Sequence, residues 1–344
     1  MSATIEAPRA IPPAAARESD EPDVPRRLGT RRSASDKAFR AVLLTSGAAV
    51  LAIMGFVGAF LLLRAWDALS QAGWSFLTTQ AWEPDSGNFG IAAILVGTIL
   101  IATVAVVVAV PLALGVALYI SEYAPTRIKQ SLVSIVDLMA AIPSVVFGLW
   151  GFFFLQGRIT DLARWLSTTF GWFPPFQVPG SDPSDPLATA TVYTSSTFIA
   201  GLVVAMMIAP VVASIMREVF TQAPVGEREG ALALGSTRWG MIRRVVLPYG
   251  KGGIIGGTML GLGRALGETI AVYMIISPVF AIQWHVLANG GSSVSSLIAL
   301  RYGESTPFGM SALMAAGLAL FLMTLVINFA ASSVVARSRS GASS

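Results

Sequence analysis

Arg264 and Glu268 stand four residues apart in an otherwise apolar, glycine-rich run from Gly252 to Thr269. A charge near the centre of a hydrocarbon layer costs roughly 2.5–3.5 kcal/mol or more, so both groups must face protein or water. On a helix turning about 100° per residue, Gly253, Gly257, Gly261, Arg264, Glu268 and Ala271 fall within about ±40° of one line. Small residues at that spacing let helices pack at backbone distance. The pair admits two readings. In one, the planar donors of Arg264 contact an oxyanion in a two-pronged fashion and Glu268 orients the guanidinium. In the other, the two charges form an i, i+4 ion pair that locks this helix to its neighbours. Ser144, beside Pro143 in another apolar run, has a hydroxyl able to donate to an anion or to bond back to its own helix. Asp137, about two turns into the same run, is a weaker candidate. His285 is expected in an exterior segment, solvated.

Composition narrows the class. Of the 344 residues, 54% are apolar and 12% charged, about half the charge of a soluble domain, and the mean hydropathy is +0.69. Long apolar runs at that composition mean a polytopic membrane protein. The absence of Cys excludes disulfides and thiolate chemistry, and a single His excludes a histidine metal cluster within the chain. No metal and no cofactor are expected. The net charge of +4 does not point to nucleic acid, because the basic residues flank apolar runs. No stretch reads G-x-x-x-x-G-K-[ST]; Gly250-Lys251 lacks both the upstream Gly and the following Ser or Thr. The chain is therefore not expected to hydrolyse ATP, nor to be an enzyme.

The elements that must position these residues are membrane spans of about 20 apolar residues each. Six candidates lie at roughly 41–63, 90–120, 131–156, 196–216, 252–281 and 309–336. Pro111, Pro143 and Pro210 fall inside them and are expected to be tolerated by neighbouring helices. Eight Lys and Arg precede the first span, two follow the second, six follow the fourth and two end the chain, against four on the opposite side. That asymmetry places both termini in the cytoplasm. Residues 1–37 read as a disordered basic cytoplasmic tail, with Arg31-Arg32 not expected to belong to a cleaved signal. The first transmembrane helix falls at 38–64, within the first apolar run. Residues 157–194 form an irregular exterior loop with room for a short helix near Thr160–Phe170. Gly290-Gly291-Ser292-Ser293 reads as a flexible exterior loop.

The basic segment 217–251 has its own grammar. Glu227 through Leu234 suit a short helix with acidic groups near its N-terminus. Gly235 is placed to end that helix in a left-handed conformation, and Ser236 or Thr237 to cap a second helix ending near Leu247-Pro248. Ala231 and Ala233 keep one face small for a partner surface. The spacing Glu229-Gly230-Ala231, Gly235, then Val245-Val246-Leu247-Pro248 resembles the cytoplasmic EAA loop of ABC importer permeases, with Gly230 where that family usually has Ala. The resemblance implies that Glu229, Ala231, Gly235, Leu247 and Pro248 couple to a separate ATPase.

The run Gly261-Leu262-Gly263-Arg264-Ala265-Leu266-Gly267-Glu268-Thr269 and the segment Ile142-Pro143-Ser144-Val145-Val146-Phe147-Gly148 are similar to the phosphate-specific permeases of that class, the PstC type. The likeness spans about residues 38–336. It implies an all-α integral membrane protein with six transmembrane helices, the type I ABC importer permease architecture, and a permease core over 89–336. It also implies a substrate pathway through Arg264, Glu268, Ser144 and Thr269. The partners implied are a sister permease (PstA type), a cytoplasmic ATPase dimer (PstB type) and an exterior phosphate-binding protein (PstS type) in the bacterial plasma membrane. Another oxyanion such as molybdate or sulfate is the alternative within the class. An ion-coupled secondary carrier is disfavoured, because no duplicated half is evident and the coupling loop is present.

Overall fold

The computed structural model of the chain describes residues 33–179 and 190–339. Most of the expected tail, residues 1–32, and positions 180–189 of the expected exterior loop lie outside them. The chain forms two units, divided after Ile53. The first, over 33–53, is helical from Ala34, with exposed side chains throughout and the Thr45 hydroxyl bonded back to the Ala41 carbonyl at 2.8 Å.

Four helices are long and apolar enough to cross a membrane: α1 (Ala34–Ala72), α2 (Ala92–Leu118), α6 (Thr197–Thr221) and α12 (Pro307–Arg339). The third expected span, 131–156, is bent. Helix α3 (Thr126–Ala141) meets α4 (Ser144–Trp150) and its continuation α5 (Gln156–Phe170) at 87°, and the bent pair makes a fifth span if counted as one. The cause is Pro143, which drives Ile142 out of the helical region to ψ 130°. Pro111 and Pro210 sit inside α2 and α6, which run on through them as expected. The short helix for which the expected exterior loop left room is present as α5, Gln156–Phe170.

The fifth expected span, 252–281, is not one helix. Helix α9 (Leu247–Leu266) stops, Gly267 to Thr269 leave the helical path, and α10 (Ile270–Ile275) resumes for only a few residues. Gly261, Gly263 and Gly267 weaken the helix at that point. The backbone groups freed by the break are taken up: the Ser295 hydroxyl donates to the Glu268 carbonyl at 2.6 Å, and Glu268 Oε1 accepts from the Ala271 amide at 3.2 Å.

Small residues at four-residue spacing build the core. Ala105, Ala109, Ala113 and Ala117 of α2, Gly201, Ala205 and Ala213 of α6, and Gly253, Gly257, Gly261 and Ala265 of α9 are all buried. Such stripes bring backbones close enough for packing to hold helices together where lipid offers no hydrophobic drive. A Cβ on Gly261 would lie 2.7 Å from Val212, and one on Gly201 2.5 Å from Val104. A second cluster joins the C-terminal half of α1 to α12, where the Ser311 hydroxyl donates to the Arg64 carbonyl and accepts from the Ala68 amide. A short antiparallel hairpin, β1 (Trp82–Glu83) with β2 (Asn88–Phe89), packs Trp82 and Phe89 into that cluster.

Residues 290–293 are not a flexible loop. Gly290 and Gly291 take φ of 94° and 152°, and Ser292 and Ser293 are only 2% and 3% exposed. The segment lies against α2, where any side chain at Gly97 would strike the Ser292 carbonyl, and it pairs with Ser277 and Val279 through backbone hydrogen bonds. Ser293 and Ser296 then cap α11 (Val294–Arg301) reciprocally.

Candidate functional site

The break in α9–α10 decides the geometry around Arg264. With Glu268 outside the helix, the i, i+4 register is lost. Among the described residues the ion pairs are Arg228–Glu122 and Arg301–Glu304. The Arg264–Glu268 lock of the second reading is thus absent, and Glu268, rather than orienting the guanidinium as in the first, caps α10. The buried stripe continues from Gly261 into Ala265, and Arg264 beside it is exposed. Thr269 bonds the Gly267 carbonyl at 3.2 Å and closes the break.

Ser144 opens α4 directly after the Pro143 bend and is half-buried. Helices α4 and α10 touch through Gly148 and Ala271, where a Cβ on the glycine would lie 3.0 Å from the Ala271 backbone. The Ser144 bend and the Glu268 break are therefore each about one turn from a shared contact. A cavity of about 450 Å³ beside them is lined by Phe152, Phe153, Tyr273, Met274, Ser292 and Ser296, a mostly apolar set unsuited to an oxyanion. Asp137 is exposed on α3. His285 is not simply solvated, since its Nδ1 lies 2.9 Å from the Pro174 carbonyl oxygen.

The basic loop folds largely as its residues dictate. Helix α7 (Val225–Ala233) ends at Gly235, whose φ is +81°. The Gly235 amide bonds the Leu232 carbonyl and the Ser236 amide the Ala231 carbonyl, the paired bonds of a left-handed helix stop. Thr237 Oγ1 then accepts from the Gly240 amide and caps α8 (Arg238–Met241). The second helix does not end at Leu247-Pro248. A π turn over Ile242–Val246 carries α8 without interruption into α9. Pro248 lies in the first turn of α9, and the π turn accommodates the hydrogen bond that its ring cannot donate.

Exposure divides the loop residues. Glu229, Ala233, Gly235 and Pro248 are exposed, whereas Ala231 and Leu247 pack inward against Phe220, Met241, Ile242 and Val246. The small face expected of Ala231 thus serves internal packing. The outer face of the loop also presents Val225, Leu232, Trp239 and Leu234, the last 90% exposed. These apolar side chains protrude from a charged loop. Sequence periodicity could not single them out, because a nine-residue helix offers too few turns.

The family model for the inner membrane component of binding-protein-dependent transport systems matches residues 109–340. The chain belongs to this permease family. The match covers both the break near Arg264 and the loop α7–α8. A relative from Mycobacterium tuberculosis, the phosphate transport system permease protein PstC 2, is 36% identical over 87% of this chain and 91% of its own. The Pasteurella multocida phosphate transport system permease protein PstC is 38% identical over 81% and 84%. A solved bacterial ABC transporter involved in the import of the acidic polysaccharide alginate aligns with a TM-score of 0.52 at 19% identity, over 88% of this permease and 98% of that chain. That likeness bears on the fold alone: the all-α architecture of type I ABC importer permeases.

Proposed function

We propose that this permease moves inorganic phosphate inward across a bacterial plasma membrane, forming the pathway by alternating access with a sister permease. Arg264 carries the reading. Arg264 is exposed in the glycine-rich, largely apolar second half of α9, and Glu268 forms no ion pair with it. A guanidinium presents a planar fork that matches two phosphate oxygens. Ser144 and Thr269, at the two neighbouring helix breaks, are the hydroxyls we assign to the same pathway, with Glu268 shaping the break. The naming of the relatives as phosphate permeases supports the substrate.

The loop α7–α8 is the docking foot for a cytoplasmic ATPase dimer, with Glu229, Gly235 and Pro248 exposed on it and Ala231 and Leu247 shaping it from within. Both termini are cytoplasmic, α5 and residues 157–194 are exterior, and a phosphate-binding protein delivers substrate there. This sidedness rests on the Lys and Arg asymmetry. Uptake of labelled phosphate by cells carrying Arg264→Met or Arg264→Lys, normalised to assembled complex, tests the pathway. Both variants should assemble and lose most uptake, Lys because it keeps the charge without the fork. Near-normal uptake by either, or competition by molybdate or sulfate as strong as by phosphate, would refute the assignment.

A further inference from the structure

The loop α7–α8 is joined to the membrane helices by more than chain continuity. Arg228, in the middle of α7, pairs with Glu122 Oε1 at 3.3 Å and donates a hydrogen bond to the Phe220 carbonyl. Glu122 lies in the π turn Tyr119–Tyr123 that ends α2, and Phe220 lies in the last turn of α6. One guanidinium therefore ties α7 to the C-terminal ends of the two helices that pack through the alanine and glycine stripes. The side chains are 4% exposed for Glu122 and 19% for Arg228, so the pair is shielded from water. A second tie runs alongside, where the Arg238 guanidinium of α8 lies 5.4 Å from the centre of the Tyr123 ring.

Without these ties α7 would be held by its flanks and by the packing of one small side chain, Ala231. On one side is the Ala223-Pro224 turn, on the other Gly235 at φ +81°. A short helix between two turns can swivel without moving the helices on either side of it. Anchored through Arg228, it cannot shift without pulling on the ends of α2 and α6. We infer that the Glu122–Arg228 pair is a positioning link that transmits movement of the ATPase-docked helix α7 into α2 and α6, and so into the transport cycle. Arginine suits the task because its fork reaches a carboxylate and a carbonyl at once, which a lysine ammonium does with poorer geometry. A second route runs through α8, the π turn and α9 to Arg264, so the link gives α7 a grip on both sides of the core.

The proposal rests on the docking reading of α7, and the test separates the two. The complete complex (both permeases, ATPase and binding protein) is reconstituted in vesicles with Glu122→Gln, Arg228→Gln or the double variant. Two quantities are measured, ATPase retained on purification and phosphate transported per ATP hydrolysed. Each single variant should retain the ATPase and lose phosphate per ATP by at least about fivefold, the lower end of typical couplings between sites. The double variant should lose no more than Arg228→Gln, because one link is broken once. Arg228→Lys should recover part of the yield.

Unchanged phosphate per ATP in Arg228→Gln would overturn the link, as would additive losses in the double variant. Loss of the ATPase from either single variant would also overturn it, by assigning the pair to docking rather than transmission. Leu234→Asp on the exposed tip is the control for docking. It should shed the ATPase, and its failure to do so would remove the docking reading and the proposal together.

Discussion

Gly253 and Gly256 lie three residues apart on α9 and meet opposite surroundings. A Cβ built on Gly253 would lie 2.6 Å from Val219 Cβ, 2.6 Å from Cγ2 and 2.9 Å from Cγ1, whereas one on Gly256 meets nothing within 4 Å. Replacing either glycine by alanine raises helix propensity by the same roughly 0.5–1 kcal/mol. That gain cancels when the two variants are compared. What remains is the collision at Gly253, where the clash is with the branch point of a valine, not with the end of a flexible side chain. Overpacking of this kind costs typically about 1–3 kcal/mol. Gly256→Ala should therefore stabilise the purified chain by about 0.5–1 kcal/mol, and Gly253→Ala should fall below it by about 1–3 kcal/mol. Equilibrium unfolding in mixed micelles, followed by loss of helical circular dichroism, measures the difference. Equal stability of the two variants would refute the idea that backbone-distance packing of α9 on α6 holds this core together.

Glu268→Gln should leave uptake close to normal, since an amide oxygen still caps the Ala271 amide, whereas Glu268→Ala should lose about 0.5–2 kcal/mol of stability as other lost caps do; thermal denaturation of the two variants checks this. Gly97→Val should abolish accumulation of the folded permease, because the Ser292 backbone has nowhere to retreat, and a blot of membrane fractions reads it. In this Cys-free chain, Thr169→Cys should react with a membrane-impermeant thiol reagent in intact cells and Thr221→Cys should not; the reverse pattern would invert the topology.

Short-range chemistry was legible in the residues. The Gly235 stop, the Thr237 cap and the acidic start of α7 each depend on side chains a few positions apart, and they formed where those side chains put them. The spans α2 and α6 followed from apolar length. The break after Leu266 did not, because no proline marks it and its backbone groups are satisfied by Ser295 from a later segment. Composition suggested a loose Gly-Gly-Ser-Ser loop. Only the close approach of α2 at Gly97 reveals that those residues are small because they are buried. The Glu122–Arg228 pair joins positions more than a hundred residues apart, beyond the reach of any periodicity. Arg228 counted only as one more positive charge in the loop.

The uninterrupted helical path from Arg238 through the π turn to Leu266 has a consequence in gearing. If the rod rocks about Gly257, where the middle of its glycine stripe meets α6, it extends about 28 Å towards Arg238 and about 10 Å towards Arg264, at about 1.5 Å per residue. A stroke delivered at the long arm then arrives at the arginine reduced nearly threefold, with its force multiplied by the same factor. Such a ratio favours small, forceful displacement of a charged side chain over wide opening.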